Sequence, residues 1–449
     1  MDLKERLAQL DRLTRRPDAT APAADERSPS GSAAAGPDRA TLPPGPCAGA
    51  ADGGSPGAPR SWSDALELMP RATPAGVAWV RDNTPGVFCP PPDLTPDLAA
   101  LLSRPEAARL PGDLLLLDTE TTGLAGGTGS LPFLVGLAWW TDGELRVRQY
   151  FLPAPGQEDP ILCELARLAS RFQAVVTYNG SSFDLPLLRT RALLARRPDP
   201  LARLAGWDLL TASRRLWGRR LPNLRQPTVE AALGSSDRRG DDIPGALIPQ
   251  AYFRFLQGGH CGELAAVLQH NVWDLAGMAR ILAAVLAAAA HLDPASPGAA
   301  VDPPPWQDAW CRARVCEARR HHHAAAVWME RAAAGSGVLR PVARQGDVAP
   351  AERFFADAVR LLKRTRRWTL VRDLLERGIA CHGPRPWLLR EIAILYEHRL
   401  RRPDLALGPA ETLGDPARLH RLRSKLAAGP PPGPPPGPPP GCPGPSRAL

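Results

Sequence analysis

Residues 114–130 read LLLLDTETTGLAGGTGS. Four consecutive leucines mark a strand buried on both faces, and they run directly into two acids, Asp118 and Glu120. Residues two apart on a strand project from the same face of the sheet. Two carboxylates that close each resist ionisation unless positive charge stands between them, and a divalent cation supplies such charge. Taken alone, the pair could equally lie in a solvated loop just past the strand. The glycine-rich stretch after it has no following Gly-Lys-Ser/Thr, so it is not a phosphate-binding P-loop. It reads as a turn that lets backbone approach closely.

Outward from this stretch the pattern is α/β. Residues 133–140 (FLVGLAWW) and 145–152 (LRVRQYFL) read as strands joined by the Asp-Gly turn TDGE. Residues 158–172 have helical periodicity, 174–179 (AVVTYN) form a short buried strand, and 183–197 return to helix. Later helices are expected at 208–218 and 263–290. Three strands, then helix, strand and helix, match the order of a ribonuclease-H-like mixed sheet flanked by helices.

Two more acids stand out. Asp184 lies in VVTYNGSSFDLPLL (175–188), where a strand meets a turn and a helix opens. By itself it is an ordinary helix-start acid. Asp274 lies in LQHNVWDLAGMARIL (268–282), with His270 one helical turn earlier on the same face. By itself that is an ordinary i,i+4 pair. Leu264, Val267, Leu268, Val272, Leu275 and Met278 leave this helix little solvent-facing surface. Four acids in this order could converge on two divalent cations, Mg²⁺ or Mn²⁺, which prefer carboxylate and phosphate oxygen. Two such ions about 4 Å apart stabilise the attacking and leaving oxygens of a phosphodiester displacement.

With these motifs in order, the chain resembles the DEDD exonuclease superfamily, and more closely the bacterial YprB-type ribonuclease-H-like family. The resemblance covers about residues 61–292. It rests on DTETTGLAGGTGSLPFLVGLA, TYNGSSFDLPLLRTR, WDLLTASRRLWGRRL, DIPGALIPQAYFRFL and HNVWDLAGMARIL. It implies a metal-dependent 3′→5′ exonuclease acting on DNA, in repair, with Asp118, Glu120, Asp184 and Asp274 as metal ligands. It places His270 where the superfamily has the residue that orients or deprotonates the attacking water. One departure stands: the histidine branch spaces this residue five before the acid, the tyrosine branch four, and here a histidine fills the four-residue slot. His270 is thus a general base or a hydrogen-bond donor behind the ligands. The resemblance also implies Thr121, Leu124, Asn179 and Phe183 as contacts to the terminal nucleotide; the same residues could serve ordinary turn and core packing. The same chemistry on RNA, or a non-catalytic scaffold on a nuclease fold, are the alternatives.

The remainder divides by composition. Residues 1–60 are mostly Ala, Pro, Gly and Ser beyond a short amphipathic segment at 3–14, too poor in large apolar groups to order themselves. A Pro-rich linker spans 293–308. Residues 309–427 are helical and arginine-rich, with an imperfect repeat that opens on Arg-Arg at 319, 366 and 401 and carries Glu330, Glu376 and Glu411. This fits a tetratricopeptide-like domain, which the resemblance also implies. Residues 428–449 are a Pro/Gly-rich tail. The net charge of +9 favours an acidic partner such as nucleic acid. The run RRLWGRR (214–220) could track phosphates or be a solvated helix face. The helical domain could recruit a protein partner, a helicase by expectation. Eight cysteines without C-x-x-C, a charged start and no apolar run of about 18 residues read as a cytoplasmic protein with no disulfide framework and no membrane partner. Cys311, Cys316 and His321–His323 do not share a helical face, which argues against zinc.

Overall fold

The computed structural model describes residues 61–85, 98, 101–102, 111–123, 129–234, 242–296, 304–335 and 348–427. The expected disordered N-terminal segment, residues 297–303 of the linker, the Pro/Gly-rich tail and Leu124 lie outside them.

A short helix α1 (Trp62–Ala65) precedes a hairpin of β1 (Met69–Thr73) and β2 (Gly76–Asn83). Strands β3 (Leu114–Thr121), β4 (Pro132–Thr141) and β5 (Glu144–Phe151) follow. Next come α2 (Asp159–Ala169), β6 (Ala174–Thr177), α3 (Asp184–Leu194), β7 (Ala205–Asp208), α4 (Leu209–Trp217) and α5 (Gln226–Ala232). Two helices, α6 (Ile248–Gly258) and α7 (Gly262–Ala290), end this part. The sheet order is β1-β2-β5-β4-β3-β6-β7, with β3 antiparallel to β4 and parallel to β6. The fold is α/β, a ribonuclease-H-like mixed sheet flanked by helices.

The β4–β5 turn is the expected one: Asp142 and Gly143 both take positive φ, and Thr141 pairs with Glu144. The β1–β2 hairpin and β7 were not expected. β1 carries Pro70 and a 70 % exposed Met69, which fits an edge strand and hides it from a hydrophobic pattern search.

The four leucines divide between two cores. Leu115 and Leu117 face one, with Phe133, Val135 and residues of α2 and α6. Leu114 and Leu116 face the other, with Ala138, Val147 and residues of α4 and α7. The 29-residue α7 joins the layers. Its start (Leu264, Val267, Leu268) packs in the first core and its remainder, from Val272 onward, in the second. His270, Asn271 and Asp274 sit at the crossing. By length and composition α7 could cross a membrane, but its apolar residues are consumed by these cores.

Seven helices follow among the described residues: α8 (Trp306–Ala318), α9 (His322–Ala334), α10 (Val348–Arg364), α11 (Trp368–His382), α12 (Pro386–His398), α13 (Pro403–Leu413) and α14 (Pro416–Ala427). The Arg-Arg repeat marks the turns α8–α9, α10–α11 and α12–α13. In each, one arginine (Arg320, Arg366, Arg401) takes positive φ. The first two turns close alike, His321 N–H donating to Cys316 O and Arg367 N–H to Leu362 O, as at a helix C-terminus that reverses the chain. The repeated glutamates also have partners: Glu330 pairs with Arg367, and Glu376 accepts from the Tyr396 hydroxyl. Among the described cysteines, 163, 311, 316 and 381 carry thiols rather than disulfides.

The basic run 214–220 straddles the C-terminal end of α4, with Arg214 and Arg215 exposed and its other large side chains in contact with α8 or the core. Trp217 is buried, Arg220 grips Asp308 of α8 with Nε 3.0 Å from both oxygens, and the Arg219 guanidinium lies 4.1 Å from the Trp310 ring centroid. These contacts fasten the helical region to the sheet layer.

Candidate metal centre

Strand alternation carries Asp118 and Glu120 onto the face of Leu114 and Leu116, toward α7. The pairing with β4 shifts register between Glu120 and Thr121, so the strand ends at the acids. From α7, His270 and Asp274 project together, His270 Nε2 lying 3.3 Å from Asp274 Oδ2. Donor atoms of Glu120, His270 and Asp274 all lie within 4.8 Å of one another. This carboxylate–imidazole set is chemically suited to a divalent cation. The sequence pointed to His270 only as a base or donor, whereas here its ring nitrogen stands among the ligand oxygens.

Asp118 and Asp184 flank this group, each turned onto a different side chain. Asn271 Nδ2 donates to Asp118 Oδ2 at 2.8 Å. Thr119 points to the opposite face of the sheet, where its hydroxyl donates to Asp184 Oδ1 at 2.5 Å. Asp184 opens α3, as expected. The four acids therefore share one end of β3 but are not one tight cluster.

Their titration reflects crowding. Burial, then the charges of Glu120, Asp274 and Asp184, hold the Asp118 carboxyl well above its usual range. Burial pushes Glu120 up to about 8, opposed by His270 and assisted by Asp274 and Asp184. Burial also raises Asp184, and the Thr119 hydrogen bond partly offsets it. Burial works against the His270 cation, but the Asp274 hydrogen bond and charge, Glu120 and Asp242 outweigh it and raise its pKa to about 10. An imidazolium thus serves as counter-ion to acids that a metal would otherwise discharge.

Asp242 escaped the sequence reading. Its Oδ1 lies 2.6 Å from His270 Nδ1, which leaves Nε2 directed to Asp274. The only sequence signal was an acid in DIPGALIP, 28 residues from the histidine. Asp208 was also missed. Its carboxylate accepts from Asn179 N–H at 2.9 Å and Ser181 N–H, and caps α4 at Leu210. Asp208 thereby pins the loop that delivers Asp184.

The residues expected to touch substrate divide. Phe183 is 48 % exposed directly before Asp184. Asn179 sits in that loop at φ 66°, a conformation asparagine tolerates. Gly180 follows because a Cβ there would meet Thr177 at 2.4 Å. The Thr121 hydroxyl donates to Gly123 O, a bond within its own loop. Cys311 and Cys316 are buried thiols, and among the described residues no His/Cys/Asp/Glu group other than that of Glu120, His270 and Asp274 has ligand-like spacing.

The sequence model of the RNase_H superfamily matches residues 115–286, a span that begins in β3 and ends within α7. The chain is also similar to the uncharacterized protein YprB of Bacillus subtilis (strain 168), 39 % identical over 165 residues. That match covers 36 % of this chain and 39 % of YprB, so the chain spans about two fifths of that relative's length. Over residues 115–286 the chain is similar to the RNase_H superfamily.

Proposed function

We propose that the protein is a metal-dependent 3′→5′ exonuclease that hydrolyses phosphodiester bonds of DNA, in repair. The observation that carries the nuclease reading is the Glu120–His270–Asp274 group at the end of β3, flanked by Asp118 and Asp184. The 3′ polarity, the DNA substrate and the repair role rest on the resemblance of the motifs. The helical region would recruit a protein partner, a helicase that exposes strands.

Asp118, Glu120, Asp184 and Asp274 would hold two divalent cations, Mg²⁺ or Mn²⁺, which supply Lewis-acid stabilisation of the attacking and leaving oxygens. Bound cations would favour the neutral form of His270 over its imidazolium, and the neutral ring would accept the proton of the attacking water at Nε2 while Asp242 keeps Nδ1 as the donor. The exposed ring of Phe183 offers a stacking surface to the terminal base. Asn179, on the loop before Asp184, and Leu124, four residues past Glu120 in sequence, complete the grip on the 3′ nucleotide.

The test is a cleavage time course on 5′-labelled DNA and RNA strands of one sequence, with Mn²⁺, Mg²⁺ or chelator. A DNA ladder that shortens from the 3′ end supports the proposal. A ladder on RNA alone moves the substrate to RNA, and binding without cleavage favours a non-catalytic scaffold.

A further inference from the structure

Three strands meet in one row beneath α7. Asp118 on β3 pairs with Gly136 on β4, and Gly136 pairs with Gln149 on β5. By strand alternation all three face α7. Gly136 leaves an opening in the middle of the row, and Asn271 fills it: a Cβ on Gly136 would lie 2.0 Å from Asn271 Oδ1. Asn271 and Gln149 are both fully buried.

The hydrogen bonds in this row have one direction. Gln149 Nε2 donates to the backbone carbonyl of Leu268 at 2.8 Å. A carbonyl only accepts, so this bond fixes which end of the Gln149 amide points to α7. The same nitrogen donates to Asn271 Oδ1 at 2.9 Å. That contact in turn fixes the Asn271 amide, whose Nδ2 must face Asp118. A backbone carbonyl at the far end thus dictates that Asp118 meets a donor. The donor is neutral, so it fixes the carboxylate without adding a positive charge that would compete with a metal.

We propose that Asn271, seated over Gly136 and oriented by Gln149, is a positioning residue that engages Oδ2 of Asp118 and presents Oδ1 to a divalent cation. This rests on the metal-centre reading above. Groups of this kind, hydrogen-bonded behind a metal ligand, typically govern affinity by about 10–100-fold.

The experiment is a titration of the full chain with Mn²⁺, following free Mn²⁺ by electron paramagnetic resonance, beside thermal unfolding in chelator. The variants are Asp118→Ala, Asn271→Leu, Gly136→Ala and Gln149→Met. Gly136→Ala changes neither Asp118 nor Asn271 and displaces the amide by its Cβ alone. Gln149→Met keeps the volume and removes the donor, which serves if the other two do not fold. The expected result is loss of a Mn²⁺ site in Asp118→Ala and a Kd raised about 10–100-fold in Asn271→Leu and Gly136→Ala. A smaller increase, about 3–10-fold, is expected in Gln149→Met. Folded variants that bind Mn²⁺ as the wild type does, whatever their unfolding temperature, would overturn the positioning role while leaving the metal centre intact. A wild type that binds no Mn²⁺, or an Asp118→Ala that binds it equally well, would overturn the metal centre and this inference with it.

Discussion

The Asp242 carboxylate holds His270 at Nδ1, on the ring edge away from Asp274. One acid orients the ring and the other receives its second nitrogen. Replacing Asp242 by Asn removes a negative charge that favours the imidazolium, so the histidine titrates at lower pH. Asp242→Asn is therefore expected to lower kcat by about tenfold and to move the acid limb of the pH–rate profile downward. His270→Gln is expected to lower kcat by about 100-fold or more and to abolish that limb. Both follow from kcat measured across pH with saturating Mn²⁺. An unchanged limb in Asp242→Asn would separate His270 from the proton transfer.

Crowded acids make stability depend on pH. Glu120 titrates at about 8 in the fold against an ordinary 4.5. Its contribution to stability is full below about 4.5 and is lost as pH rises through about 8. His270 titrates at about 10 against an ordinary 6.5, so its contribution is full below about 6.5 and is lost as pH passes about 10. Both trends have the same sign. In chelator, the unfolding temperature is expected to fall as pH rises from about 5 to about 9, by several degrees. Mn²⁺ is expected to stabilise more at high pH than at low, because its binding must expel protons. Calorimetric titration in buffers of different ionisation enthalpy would show that proton release directly.

Phe183 is half exposed and contributes little to the core, so its removal is expected to act on substrate alone. Stacking of one base on an aromatic ring is worth about 1–3 kcal/mol. Phe183→Ala is expected to raise KM roughly 5–150-fold with the unfolding temperature unchanged. An unchanged KM on every strand tested would remove Phe183 from the binding site.

Arg220 and Asp308 join the sheet layer to the helical region. The Asp308 side chain is 8 % exposed, so Arg220→Ala strands a buried carboxylate. Urea unfolding is expected to report a loss of about 3 kcal/mol, with the double variant Arg220→Ala/Asp308→Ala recovering part of it. If Arg220 instead contacted phosphate, the variant would weaken DNA binding and reduce its salt dependence at unchanged stability.

How much of this was legible in the sequence depended on range. The leucine run, the Asp-Gly turn and the α7 periodicity are local patterns, and each appears where it was read. The Arg-Arg repeat was visible as spacing, while its physical content, a positive-φ turn between helices, emerged only from the backbone. The β1 edge strand was silent because edge strands need not alternate. The arginines of 214–220 were ambiguous because an arginine run has the same sequence whether it meets phosphate, water or a buried aspartate. The motif order implied a convergence of four acids; Glu120 and Asp274 lie close together with His270, while Asp118 and Asp184 flank that group. Asp242, Asp208, Gln149 and Asn271 act through contacts with residues distant in sequence, and no spacing rule announces them. Asn271 stood beside His270 in plain view, but its partner Asp118 lies 153 residues away.

The most direct test of the central claim is the rate of mononucleotide release from DNA by the wild type, Asp118→Ala and Asp274→Ala, each with Mn²⁺ or with chelator. The metal-centre account predicts release by the wild type with Mn²⁺ only, and a loss of about 100-fold or more in either variant. Release that survives chelator, or that persists at the wild-type rate in both variants, would contradict it.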